Sequence, residues 1–298
     1  MKKFETIPYE TVPCERADGE YIEKSIDAYT DSIFPPDETA PAEEDLVFKV
    51  EDGGKIVGGC LASIDPWRAI EIDVLWVDAA YRGQGIASML LREAEHYAKE
   101  KGCYLATLGT FDFQARGLYE KHGYTVYAVG EDCPRGHLHY ALFKRLDEEI
   151  PDYIPSHNGA PERFKIQRGT EEDAEVIDDN LVAYNGSVVP KKHDYLKLNR
   201  KLVDKDGRMI AGIVSGVGGW DDGFIHMVWV EEPYRRRGLG SHLLREAERE
   251  AKEAGAEFLL AVAADWNLEF FEKQGYEITG ILEDFPRGHC HYELKKTI

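Results

Sequence analysis

Cysteine is scarce in this sequence: five residues in 298, at positions 14, 60, 103, 133 and 290, with no Cys-x-x-Cys pair. An odd, scattered set gives neither a disulfide framework nor a zinc site, and predicts reduced thiols in a reducing compartment. Long apolar runs are missing too. Nothing approaches the roughly 18 apolar residues of a membrane-spanning helix, and Lys2 and Lys3 are not followed by the apolar stretch of a secretory leader. The expectation is a cytoplasmic protein without a membrane partner. Positive charge is short as well, with 36 Lys and Arg against 56 Asp and Glu, a net charge of −20. A surface that negative repels nucleic acid and favours cationic partners.

What is present is a repeated motif. Apolar residues make up 43% of the chain, which supplies two cores and argues against disorder. The apolar run Val74-Leu75-Trp76-Val77 leads into Tyr81-Arg82-Gly83-Gln84-Gly85-Ile86-Ala87-Ser88, and Ile86, Leu90, Ala94 and Tyr97 then recur at helical spacing. Strand, glycine turn and helix in that order leave unpaired backbone N–H groups and a positive dipole end at one point, where phosphate binds. Met227-Val228-Trp229-Val230 leads in the same way to Tyr234-Arg235-Arg236-Arg237-Gly238-Leu239-Gly240-Ser241. Over Tyr81–Gly102 and Tyr234–Gly255, 14 of 22 positions are identical, so the chain is an internal duplication.

The rest of the sequence fits two copies of one plan. Residues 4–13 predict an edge strand, and Ile22, Ile26, Tyr29 and Ile33 an amphipathic helix stopped by Pro35-Pro36. Asp37, Glu38, Glu43, Glu44 and Asp45 fall in an acidic connection, and Gly53-Gly54 marks a hairpin between 46–50 and 56–63. Strands are expected at 70–77, 104–108, 124–129 and 138–146, with a short helix over 115–121. Residues 147–163 read as a linker. In the second copy Thr170-x-x-Asp173 resembles a capping box ahead of Ile177, Leu181 and Tyr184. A turn at Asp206-Gly207 and strands at 224–230, 258–263, 276–281 and 290–295 complete it. The fold class is therefore α/β or α+β: two tandem domains, 1–146 and 164–298, each a mixed, mostly antiparallel sheet flanked by helices.

Both glycine loops fit Arg-x-x-Gly-x-Gly/Ala, each with a preceding Trp-Val strand and a following Tyr/Phe-Glu-Lys-x-Gly-Tyr segment. Each copy then closes on Glu-Asp-x-Pro-Arg-Gly-His-x-His-Tyr. The ordered set resembles the GNAT acetyltransferase superfamily over nearly the whole chain. The resemblance implies an N-acetyltransferase that uses acetyl-coenzyme A by direct transfer to a primary amine. It assigns the cofactor pyrophosphate to Arg82, Gly83, Gln84, Gly85, Ile86 and Ala87, and in the second copy to Arg235, Arg236, Arg237, Gly238, Leu239 and Gly240. Backbone at Trp76 and Val77, and at Val230, would hold the thioester end. A coenzyme A-binding sensor or scaffold, and a lysine acetyltransferase acting on proteins, stand as alternatives.

The resemblance also assigns acid–base roles. Glu71 and Asp73 stand two apart on the strand before the loop, on one face, where the family carries its general base. Tyr119 matches the tyrosine that protonates the leaving thiolate. The second copy has Phe224, His226 and Phe271 at those three positions, so catalysis is expected in the first, with His226 as the second copy's candidate base. The acidic connection 37–45 is expected to rim the first acceptor pocket and to select a small cationic amine, whereas the second copy has Val189-Pro190-Lys191-Lys192-His193 there. His137 and His139, and His289 and His291, lack a carboxylate or Cys at ligand spacing, so no metal is expected.

Overall fold

The computed structural model describes residues 9–35, 39–148 and 164–298. The first half runs β1 (Glu10–Pro13), α1 (Arg16–Ile33), β2 (Glu44–Asp52), β3 (Lys55–Ile64), β4 (Ala69–Val77) and α2 (Ile86–Glu100). It continues with β5 (Leu105–Phe111), α3 (Arg116–Lys121), β6 (Thr125–Glu131) and β7 (Leu138–Arg145). The second half opens with β8 (Ile166–Arg168), α4 (Glu171–Val188), β9 (Leu196–Lys197), β10 (Arg200–Val203), β11 (Met209–Val217) and β12 (Asp222–Val230). It ends with α5 (Leu239–Glu253), β13 (Phe258–Ala264), α6 (Leu268–Glu272), β14 (Glu277–Glu283) and β15 (Cys290–Thr297). Residues 4–8, Pro36 to Glu38 and most of the expected linker lie outside the described residues. Among those described, no helix is long and apolar enough to cross a membrane.

The described residues divide into two compact units. The N unit, which carries the first glycine loop, comprises 39–148, 164–190 and 285–288; the C unit, with the second loop, comprises 9–35, 191–284 and 289–298. These units differ from the division at 146 and 164 that chain order predicts. Each takes its opening strand and helix from the other repeat: β8 and α4 belong to the N unit, β1 and α1 to the C unit.

The reason lies in two matched docking contacts. Ile177 of α4 is fully buried over Gly59 of β3, where any Cβ would overlap its side chain. Ile22 of α1 is fully buried over Gly212 of β11 in the same way. The capping residues repeat the match. Asp173 accepts from the Thr170 N–H at 2.9 Å and pairs with Lys49 at 2.9 Å. Asp18 accepts from the Glu15 N–H at 2.7 Å and pairs with Lys201 at 2.6 Å. Exchanging identical elements trades one set of contacts for an equal one, so it costs little. The capping box expected at Thr170 is present.

In the N unit the sheet order is β8-β2-β3-β4-β5-β7-β6, antiparallel except for the β4–β5 pair. That parallel pair is joined through α2, the crossover such pairs need. Leu90, Leu91, Ala94 and Ala98 of α2 pack into the main core, while Ile177 of α4 meets Val74 and Trp76. The C unit repeats the order as β1-β10-β11-β12-β13-β15-β14, with β9 also on β11. The mixed, mostly antiparallel sheets match the expectation.

One irregularity positions the chemistry. The β3–β4 register steps from Leu61↔Val74 to Ala62↔Ile72, leaving Asp73 as the extra residue of a bulge. Pairing of β4 with β5 stops at Ile72↔Leu108. In the C unit the register steps from Val214↔Met227 to Ser215↔Ile225, leaving His226, and β12–β13 pairing stops at Ile225↔Ala261. Bulges re-aim side chains and interrupt a ladder, which frees strand backbone beside a cleft.

Candidate functional site

A cavity of about 820 Å³ opens in the N unit where β4 and β5 cease to pair. Glu71, Asp73, Trp76, Val77, Arg82, Gly83, Gly85, Ile86, Ala87 and Tyr119 all line it. Sequence-selected residues from a strand, a loop and two helices thus share one enclosure. Gln84 sits in the same loop, its amide donating to the Ala80 carbonyl at 3.4 Å.

The loop end of the cavity suits a diphosphate. Gly85 is the N-cap of α2, with φ of 82° and no side chain to satisfy the first N–H groups. Helices α1 and α4 begin instead on capping boxes that fill this role themselves. The open start at Ile86, Ala87 and Ser88 therefore presents donors and a positive dipole end to the cavity. Gly83 has φ of 74° and nothing within 4 Å of where a Cβ would stand, so an anion can approach the backbone. Arg82 also ties the end of β4 to α4. Its Nε donates to the Val77 carbonyl at 3.0 Å, and its guanidinium lies 4.8 Å from the Tyr184 ring centre.

Asp73 is the most perturbed acid lining the cavity. Loss of solvent around its carboxyl, then the charges of Glu71 and Asp45, push its pKa up from 3.8 to about 7, although the residue as a whole is exposed. A carboxylate so placed takes up a proton near neutral pH, as a general base must. Tyr119 on α3 is 7% exposed, and burial raises its phenol well above the usual value. It stays an O–H donor throughout the physiological range. Cys60 is fully buried, with its thiol pushed up to about 12 by burial, which makes it a poor nucleophile.

Another part of the cavity wall is aromatic and amide-rich, and sequence reasoning missed it. Phe111 and Phe113 stack with ring centres 5.1 Å apart. Gln114 accepts from the Phe111 N–H at 3.0 Å and donates to Asn185 Oδ1 at 2.8 Å. Tyr184 donates to the Phe113 carbonyl at 3.0 Å. Tyr184, Asn185 and Leu181 come from α4, so a helix of the second repeat walls the first repeat's cavity.

Of the expected acidic rim, the described residues Glu43, Glu44 and Asp45 do not line this cavity. Asp37 and Glu38 lie outside the described residues, and Glu44 and Asp45 are in strand β2. Glu44 is held by the Tyr97 hydroxyl at 2.7 Å, Lys101 at 3.1 Å and Arg168 at 2.9 Å. Asp45 acts on the site through the field it adds at Asp73. Glu71 and Asp73 are the acids that line the cavity.

The C unit reproduces the cradle with different chemistry. Gly238 caps α5 with φ of 80°, followed by Leu239 and Gly240, and Arg235 Nε donates to the Val230 carbonyl at 2.9 Å. Arg235 lies 4.5 Å from the Tyr29 ring of α1, and Arg237 lies 5.5 Å from Tyr234. Two of the three arginines thus rest on aromatic rings, and Arg236 takes a positive φ of 60° where the first copy has Gly83. His226 stacks on Phe224 with ring centres 5.7 Å apart. Phe271, 5% exposed, fills the position of Tyr119.

The paired histidines separate. His137 bonds Asp112 at 2.9 Å, while His139 lines the N-unit cavity. His289 bonds Asp265 at 3.1 Å, and His291 lies 3.5 Å from Glu293. Among the described residues no three or more His, Cys, Asp or Glu side chains converge on a metal position.

Comparison with known proteins gives the same picture twice over. The family described as Acetyltransferase (GNAT) family matches residues 10–124 and again 166–276. A blasticidin-S acetyltransferase of Streptomyces morookaense is 36% identical over 113 residues, 38% of this chain and 82% of that protein. An acetyltransferase of Agrobacterium fabrum is 34% identical over 83 residues, 28% of this chain and 61% of the relative. The crystal structure of an acetyltransferase from Bacillus cereus is 41% identical and spans 45% of this chain and 95% of its own, with a TM-score of 0.43.

Proposed function

The chain belongs to the GNAT acetyltransferase family and is an N-acetyltransferase, and from that premise we propose that its N unit transfers acetyl directly from acetyl-coenzyme A to a small cationic primary amine. When bound, acetyl-coenzyme A supplies an acyl carbon activated as a thioester. Amides from Gly83 to Ala87, with Arg82 and Gln84, would hold its diphosphate, and strand backbone at Trp76 and Val77 would hold the thioester oxygen. Glu71 and Asp73 attract the ammonium form of the acceptor. Asp73 then takes its proton, because an amine with a pKa of about 10.4 arrives mostly charged. Tyr119 offers its O–H to the departing sulfur. In the C unit, Val230, Arg235, Arg236, Arg237, Gly238, Leu239 and Gly240 would hold a second acetyl-coenzyme A, with His226 at the place of Asp73.

One observation carries this reading: a carboxyl raised to about 7 shares a single cavity with an open helix start and a buried phenol. Phe111 and Phe113 add a flat apolar wall, which favours a cation that also carries a planar group. The similarity to a blasticidin-S acetyltransferase makes blasticidin S the first acceptor to try, with spermidine and an aminoglycoside beside it. The test measures acetylation of these amines and of lysine peptides by wild type and Asp73→Asn. Free-amine turnover that collapses in the variant supports the proposal. Turnover of peptides alone favours a protein lysine acetyltransferase, and binding of acetyl-coenzyme A without turnover favours a sensor.

A further inference from the structure

We propose that the C unit is a second acetylation site of different selectivity, accepting a neutral, weakly basic aromatic amine and deprotonating it through Tyr195 and His226. The inference rests on the preceding reading for the glycine loop only. Its acceptor chemistry adds Tyr195, which no sequence motif contains, to Phe224 and His226.

His226 occupies the C unit's bulge as Asp73 occupies that of the N unit, and Phe224 stands where Glu71 does. Tyr195, from the connection between α4 and β9, reaches this bulge and sets its hydroxyl 2.9 Å from His226 Nε2. The phenol lies over Gly216, where a Cβ would strike it. The Phe224 ring stacks on the imidazole at 12°. Phenol, imidazole and phenyl thus form one aromatic surface in place of two carboxylates.

The carboxylates near this end do not stand at the bulge itself, although the field of Asp222 reaches the Tyr195 hydroxyl. Asp221 is engaged by Lys192 and by His193 at 3.2 Å. Asp222 is 7% exposed and accepts from the Trp220 N–H at 3.3 Å. An ammonium group would find no carboxylate at either strand position, whereas a flat neutral amine gains ring faces and a hydrogen-bond partner.

The proton inventory agrees. A neutral arylamine needs no deprotonation before attack and loses its proton only as the new bond forms. The nitrogen–carbon bond forms as the carbon–sulfur bond breaks. The nitrogen's proton passes to Tyr195 Oη while the Tyr195 proton passes to His226 Nε2. The thiolate leaves with the bonding electrons and takes a proton from water, since Phe271 has no hydroxyl to offer; a thiol reference pKa near 8.5 makes it an adequate leaving group. Partial loss of solvent lowers the pKa of His226, which favours the neutral imidazole; in the tautomer protonated at Nδ1, Nε2 accepts from the Tyr195 hydroxyl.

The experiment uses the full chain with p-toluidine and spermidine as competing acceptors, comparing wild type with Tyr195→Phe, His226→Gln and Asp73→Asn. Tyr195→Phe keeps the ring over Gly216 and removes only the hydroxyl. The ratio of p-toluidine to spermidine turnover is expected to fall at least about tenfold in Tyr195→Phe and His226→Gln and to rise in Asp73→Asn. Without acetyl-coenzyme A, p-toluidine should shift the His226 imidazole signals in the NMR spectrum of wild type. A ratio unchanged or raised in Tyr195→Phe overturns the proposal, as does the absence of any His226 shift. If spermidine is never acetylated while p-toluidine is, through His226, the N-unit reading fails and this one stands.

Discussion

Lys49 and Asp173 lie 124 residues apart in the chain and meet at 3.0 Å. The same aspartate caps α4, so one carboxylate both starts the helix and pins it to a strand of the other repeat. Gly59 completes the seat. Its replacement by Val is expected to unseat Ile177, at a cost of about 1–3 kcal/mol. Thermal unfolding should show the loss, and KM for the amine should rise as Tyr184 and Asn185 leave the cavity wall. Unchanged stability and KM would contradict the exchange of helices.

Asp73 sets a pH dependence whose sign is fixed. Its base form dominates only above about pH 7, so kcat/KM for the amine should fall about tenfold per pH unit below that point. Loss of solvent is the larger cause of the raised pKa and Glu71 the next, so Glu71→Gln should shift this acid limb to lower pH without abolishing it. Asp73→Asn should remove the limb and cost about 10²–10⁴ in rate.

The same shift has a consequence for stability. A carboxyl raised in the folded state favours folding only while protonated, and that advantage is lost as pH rises from its unfolded pKa of 3.8 toward its folded value of about 7. Asp73→Asn should therefore be increasingly more stable than wild type across that window and hold a constant margin above it. Denaturant unfolding at several pH values checks this, and a margin that shrinks with pH would contradict it.

The sequence reveals the glycine loops, the strands before them and the candidate acids, because each depends on neighbours a few residues away. It also gives the capping box at Thr170, a local exchange between residues three apart. The helix exchange is invisible at that level. Ile22 and Ile177 are the same residue type, as are Gly59 and Gly212 and the aspartates at 18 and 173, so either helix fits either strand and periodicity cannot choose between them. The described part of the expected acidic rim is absent from the cavity for this reason: the expectation assumed that α1 and the connection after it serve the first repeat's cavity. Tyr195 was hidden because its partner His226 is 31 residues away and Tyr195 itself belongs to no repeated motif.

Tyr119→Phe tests the buried phenol. Loss of the hydroxyl should lower kcat about 10²-fold, while affinity for acetyl-coenzyme A falls far less. Equal losses in both would assign Tyr119 to packing against Tyr124, whose ring centre is 6.0 Å away.

Hydrogen exchange of the backbone amides, measured on the full chain with and without coenzyme A, tests the central claim most directly. The account predicts slowed exchange at 83–88, where α2 starts uncapped at Gly85, and at 236–241 around Gly238. Binding of coenzyme A with unchanged exchange at both stretches would contradict it.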